Sequence, residues 1–231
     1  MKFKSLILVM SSVVNFSAMA MSVDLRHEWM DTSKGDHKNR MLISHRFDNG
    51  FGFSLEAKWK QDSTDSTPDK PFHEQVSGGT EAVVSYQYKV NDVFNLQPGF
   101  SIESTSNNNG YRPFLRTQYN LTKDVYVAAR YRYEYKRTTS KGSEGDEKTN
   151  RGDFWLGYKF FKDWQVEYNY VYKNSNKVIF DDGKTDYEHN VKLAYKWDKN
   201  WKPYIEVGNV KQDSKNDNRQ TRFRVGVNYS W

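Results

Sequence analysis

Several arginines in this 231-residue chain recur at even spacing: Arg222 with Arg224, Arg130 with Arg132, Arg112 with Arg116, Arg40 with Arg46, and Arg26 upstream. A guanidinium is permanently charged and holds a carboxylate through paired hydrogen bonds in a fixed plane. Even spacing puts such groups on one face of a strand. A row of them offers repeated, modest anion sites, along which an anionic polymer advances without being trapped. Lys58, Lys60 and Lys202 share the phase and add supporting charge. Other chemistry is poorly served. His27, His45 and His189 fall on the opposite, apolar phase, and His37 and His73 fall in turn-rich segments, so no nucleophile–base pair forms at a usable spacing. No His-x-x-x-His pair occurs, and the absence of cysteine excludes thiolate metal sites and disulfides. Neither an enzyme nor a bound cofactor or metal is expected, and nucleic acid is not an expected partner.

Strands must carry these residues. In Phe51 to Gln61, Phe51, Phe53, Leu55, Ala57 and Trp59 alternate with Gly52, Ser54, Glu56, Lys58 and Lys60. About twelve such segments follow one another, from Val23, Leu25 and Trp29 to Phe223, Val225, Val227 and Tyr229. Their apolar phase is rich in Tyr, Trp and Phe and nearly free of charge. A lipid-facing Arg or Lys at the bilayer midplane would cost about 2–4 kcal/mol. The pattern predicts an all-β fold: a transmembrane antiparallel β-barrel of outer-membrane type around an aqueous lumen. A soluble barrel or sandwich would have to bury more Tyr and Trp than a closed interior holds. The terminal Tyr229-Ser230-Trp231 resembles the aromatic ending of outer-membrane barrels.

The connections alternate in length. Short turns are expected at Asp48-Asn49-Gly50, Asn91-Asp92, Thr122-Lys123-Asp124, Phe161-Lys162-Asp163 and Asp198-Lys199-Asn200. Longer loops are expected at 31–38, 62–78, 104–110, 138–150, 174–186 and 211–219, so the short turns read as periplasmic and the long loops as extracellular. Pro98, Pro113 and Pro203 fall inside strands, where each deletes a ladder donor, and bulges are expected there. Residues 1–20 read as a signal peptide: Lys2 and Lys4, a short apolar stretch, then Ala18-Met19-Ala20. Residues 21–231 then form a single barrel domain, with 33 basic against 29 acidic residues. A mean hydropathy of −0.94 does not argue against a membrane, because half of each barrel strand is polar.

Closure would place Arg222 and Arg224 beside Arg26, Arg40 and Arg46 as one basic wall. Arg112, Arg116, Arg130 and Arg132 would form a second, about half a turn away. A narrow low-dielectric tube concentrates the field of such groups and raises the local anion concentration. The alternative is bracing, with arginines paired to Glu28, Glu56, Glu134, Asp153, Glu167 and Glu206. An adhesive or structural barrel would have no need for opposed basic walls.

Several stretches carry a family likeness: Arg26-His27-Glu28, Leu42-Ile43-Ser44-His45-Arg46-Phe47, Gln97-Pro98-Gly99-Phe100-Ser101, Asn109-Gly110-Tyr111-Arg112-Pro113 and Tyr195-Lys196-Trp197-Asp198-Lys199-Asn200-Trp201-Lys202-Pro203-Tyr204. The chain resembles the oligogalacturonate-specific porins over nearly its whole length. The resemblance implies a monomeric twelve-stranded channel, with outer-membrane lipid and lipopolysaccharide as surroundings. It implies passage of acidic oligosaccharides released from pectin, along two basic tracks at Arg112, Arg116, Arg130, Arg132, Arg222 and Arg224. A sister branch carries sialic acid, and strand parity alone does not separate the two.

Overall fold

The structure, a computed structural model, describes residues 21–32, 37–62, 64, 70–139 and 145–231. The expected signal peptide lies outside the described residues. Twelve strands alternate apolar and polar side chains. They are β1 (Met21–Met30), β2 (Lys38–Arg46), β3 (Phe51–Gln61), β4 (Gln75–Tyr86), β5 (Phe94–Ser104) and β6 (Asn108–Asn120). The second half comprises β7 (Val125–Thr138), β8 (Glu147–Phe160), β9 (Trp164–Ser175), β10 (Thr185–Tyr195), β11 (Trp201–Lys211) and β12 (Arg219–Ser230). A two-residue piece, Tyr88–Lys89, continues β4 beyond a break at Gln87. Each strand pairs antiparallel with its sequence neighbours, and β1 pairs with β12, so the sheet closes on itself. Closure leaves no unpaired edge, as a hydrocarbon environment demands.

The faces follow the sequence phase. Leu25, Met41, Leu55, Val84, Ile102, Leu115, Val191, Ile205 and Val225 are exposed on the outer wall. Aromatic residues cluster at both rims, where amphipathic rings suit the membrane–water boundary. At the short-turn end Trp164 packs on Tyr195 and Trp201 on Tyr229, with centroids 4.7 Å apart in each case. At the long-loop end Trp29 stacks on Phe223 and Tyr111 on Tyr135. Two outward histidines are held laterally: His189 Nδ1 lies 2.7 Å from Tyr168 Oη, and His27 bonds Asn39 and His37.

Two expectations need correction. The segment 104–110 is mostly strand, because β5 runs to Ser104 and β6 starts at Asn108. Nor do the prolines make bulges; each sits where one ladder is interrupted without a change of register. The β4–β5 ladder skips Pro98, the β6–β7 ladder skips Pro113, and the β10–β11 ladder stops at Tyr204, short of Pro203. A missing N–H costs nothing where the ladder already has a gap. The one register shift lies between Lys58 and Trp59, opposite Gly78. In the β2–β3 turn Gly50 takes φ +90°, and a Cβ there would stand 2.6 Å from the Gln87 carbonyl oxygen, which leaves glycine as the residue that fits.

Candidate functional site: the lumenal wall

The inward phase of all twelve strands carries charge, and register decides which charges meet. On the closing strands Arg224 donates from Nε to Glu28 and from Nη1 to Glu206, each at 2.5 Å. Arg26 lies 3.8 Å from Glu28, Arg222 lies 3.4 Å from Glu188, and Lys173 bonds the same carboxylate. A second chain of pairs begins with Arg40 between Asp24 and Glu56, the latter at 3.4 Å. It continues through Lys58, 2.6 Å from Glu103 and 3.4 Å from Glu81, to Arg112, which bonds both acids. A third spans β7 and β8: Arg132 donates to Glu134 at 2.7 Å, and Asp153 lies 3.0 Å from Arg130 and 2.7 Å from Arg151. The three chains touch every strand of the barrel.

Several inward bases escape this arrangement, and four part-buried ones lie toward the short-turn end. Arg46 donates to the Gly50 carbonyl at 2.7 Å and to Ser85 Oγ at 2.9 Å. Arg116 donates to Gln118 Oε1 at 2.9 Å, and Lys202 to Gln165 Oε1 at 2.7 Å. Lys192 stands 4.6 Å over the Tyr204 ring. Among the described residues none of the four forms an ion pair. Among the described residues no inward acid of the strands is left similarly uncompensated by a base except Glu167, which accepts a hydrogen bond from Tyr126 Oη instead.

The arginines picked out by spacing thus divide. Arg26, Arg40, Arg112, Arg130, Arg132, Arg222, Arg224 and Lys58 are ion-paired, whereas Arg46, Arg116 and Lys202 are not, and Lys60 is exposed at the long-loop end. Around the ring, β6 and β7 stand half a turn from β12 and β1, so the two groups occupy opposite arcs. Arg116 and Arg130 face each other across one register pair, as do Arg26 and Arg40. Like charges so placed repel unless other groups compensate.

Sequence reasoning missed Arg151 and the carboxylates of Asp24, Glu81, Glu103 and Glu188, which lie on the same charged phase. It also passed over four inward aromatic residues: Phe114, Tyr126, Trp155 and Tyr204. Glycines on adjoining strands make room for three of them. A Cβ on Gly99 would stand 2.2 Å from the Phe114 ring, one on Gly157 2.1 Å from Tyr126, and one on Gly226 2.4 Å from Tyr204. These rings therefore lie down against the wall rather than across the lumen. The legible signal was an aromatic two residues from a charge, as in Asp153-x-Trp155 and Lys202-x-Tyr204-x-Glu206.

Known proteins share this architecture. The profile of the family described as "Oligogalacturonate-specific porin protein (KdgM)" matches residues 14–231. A relative from Dickeya dadantii, "Oligogalacturonate-specific porin KdgM", is 53% identical over the full length of both chains. The "N-acetylneuraminic acid outer membrane channel protein NanC" of Escherichia coli is 23% identical, over 92% of this chain and 91% of its own. A solved structure, "KdgM porin in complex with disordered oligogalacturonate", superposes with a TM-score of 0.69 at 48% identity, covering 91% of this chain and 99% of that one. The barrel is an outer-membrane porin, and the chain belongs to the oligogalacturonate-specific porin (KdgM) family.

Proposed function

We propose that this porin is anion-selective and admits acidic oligosaccharides, oligogalacturonides above all, as a monomer embedded among outer-membrane lipid and lipopolysaccharide. The observation that carries this reading is the charge imbalance of the lumen. Almost every inward carboxylate is engaged by a base, while Arg46, Arg116, Lys192 and Lys202 keep their charge uncompensated. A low-dielectric tube with a fixed positive excess admits anions and repels cations. Bracing accounts for the paired arginines in part; an ion pair also opens readily to a passing carboxylate, because exchanging one carboxylate for another preserves its hydrogen bonds. Repeated modest sites of this kind suit the disorder of the oligogalacturonate in the solved KdgM complex. The relative named for oligogalacturonate is 53% identical and the one named for N-acetylneuraminic acid 23%, which supports the galacturonate branch.

The test is a reversal potential across a planar bilayer in a salt gradient, on the refolded mature chain. Clear anion selectivity is expected, blocked by trigalacturonate more strongly than by N-acetylneuraminic acid, and weakened by Arg116→Ser with Arg130→Ser. Cation preference, or selectivity indifferent to the double substitution, would assign the arginines to bracing and favour a structural or adhesive barrel.

A further inference from the structure

A lumen that sorted only by charge would have no use for an indole. Trp155 nevertheless projects inward from β8, partly exposed, with two guanidinium groups beside its ring: Arg116 at 5.5 Å and Arg130 at 5.3 Å from the centroid. Neither arginine needs the ring for its hydrogen bonds, since Arg130 bonds Asp153 and Arg116 bonds Gln118. Its register neighbour on β7 is Ala128, too small to crowd an indole. With Tyr204 and Asn169, Trp155 lines a cavity of about 190 Å³ whose wall also carries Arg26, Arg40 and Arg224 alongside Asp24, Glu167 and Glu206. The cavity is bounded by seven contiguous strands, β8 through β12 with β1 and β2, so it spans more than half of the lumen's circumference.

The combination has a specific chemical complement. The face of an aromatic ring is electron-rich, and the C–H face of a pyranose is weakly positive and apolar, so the two stack. A uronic acid adds a carboxylate at the edge of that ring, within the domain of the surrounding guanidinium groups. Chloride, or a peptide polyanion, has the charge without the C–H face. The geometry points to Trp155 as the ring-selecting residue of the lumen, stacking a pyranose whose carboxylate the arginines beside it and along the cavity wall bind. This assignment rests on the proposed function and narrows it: charge admits anions, and the indole distinguishes sugar acids among them.

Single-channel block separates the two. Wild type, Trp155→Phe, Trp155→Leu and Trp155→Ala are compared with trigalacturonate and with triglutamate, a polyanion that lacks the pyranose. In the Ala and Leu variants the trigalacturonate residence time is expected to fall roughly tenfold, the scale of one aromatic stack. Phe should retain most of it, while triglutamate block and the reversal potential in potassium chloride stay within about twofold of wild type. Leu fills the space without a π face, so it serves if Ala fails to insert. Equal loss for both polyanions, or none for either, overturns the ring-selecting role and leaves the anion channel standing. A wild type that conducts anions but is never blocked by trigalacturonate overturns the proposed cargo and the Trp155 assignment together.

Discussion

The two ends of the lumen solve the same electrostatic problem in opposite ways. From the middle of the barrel toward the long loops, Arg40, Arg112, Arg132, Arg151 and Arg224 are bound to carboxylates of their own or neighbouring strands. Toward the short turns, Arg46, Arg116, Lys192 and Lys202 lean on amides, a carbonyl, a hydroxyl and a ring. The first region is stiff and nearly neutral; the second keeps its charge and gives up bracing. On the proposed function, stability and selectivity fall to different residues, and substitutions should separate them.

Asp153 offers the largest effect. Its carboxylate side chain is 1% exposed and holds both Arg130 and Arg151. Asp153→Asn leaves Arg130 without a counter-charge and Arg151 with only Glu134, at 3.9 Å, at a cost of about 3 kcal/mol. Urea unfolding from lipid vesicles should show the loss, and the reversal potential should move toward stronger anion selectivity. Unchanged stability would remove the bracing half of the comparison. Arg46→Ser should do the reverse. Two hydrogen bonds to neutral partners are lost, at about 1 kcal/mol, while anion selectivity falls measurably; a selectivity equal to wild type would show that the short-turn end does not set it.

The smallest effect is expected outside the membrane. In the β10–β11 turn, Asp198 accepts from the backbone N–H of Trp201 at 2.8 Å and of Asn200 at 2.7 Å. These bonds hold its carboxyl below the usual aspartate range. The turn's support is thus complete above the ordinary aspartate pKa of about 3.9 and is lost as pH falls through the depressed value. Protection of the Asn200 and Trp201 amides, measured against the intrinsic exchange rate at each pH, should fall only in that acid window. In Asp198→Ala these amides should be unprotected at every pH, with conductance unchanged.

Much of this was legible in the chain. Period-two alternation located the strands and their faces, because one face meets lipid and the other water, and it placed each named arginine inward. What alternation cannot supply is stagger between strands. Whether Arg130 meets Asp153 or Arg151 meets Glu134 depends on how far β7 and β8 slide past each other, so the pairing of charges was invisible. The opposed arginine groups were readable from strand order, but their neutralisation was not. Trp155 and Tyr204 were obscured for a different reason: an aromatic on the charged phase looks like an exception to the rule that locates strands. The prolines misled because a ladder can tolerate a gap as well as a bulge, and a local sequence does not distinguish them.

Closure of the sheet has a bearing on how the protein is made. Every ladder but one joins strands adjacent in sequence, so hairpins can zip up in the order in which they are synthesised. Only β1 and β12 wait for each other. The contacts there reach across the whole chain: Tyr204 Oη donates to Asp24, Arg224 to Glu28, and the Thr221 amide to Asp31, over separations of 180, 196 and 190 residues. Joining such distant ends costs little more than joining nearer ones, about 0.6 kcal/mol for each doubling of the loop, but it comes last. A chain cut before Arg219 would keep all its earlier hairpins yet leave Glu28 without Arg224. The seam thus acts as a test of completeness, passed only by a chain whose two ends are both present.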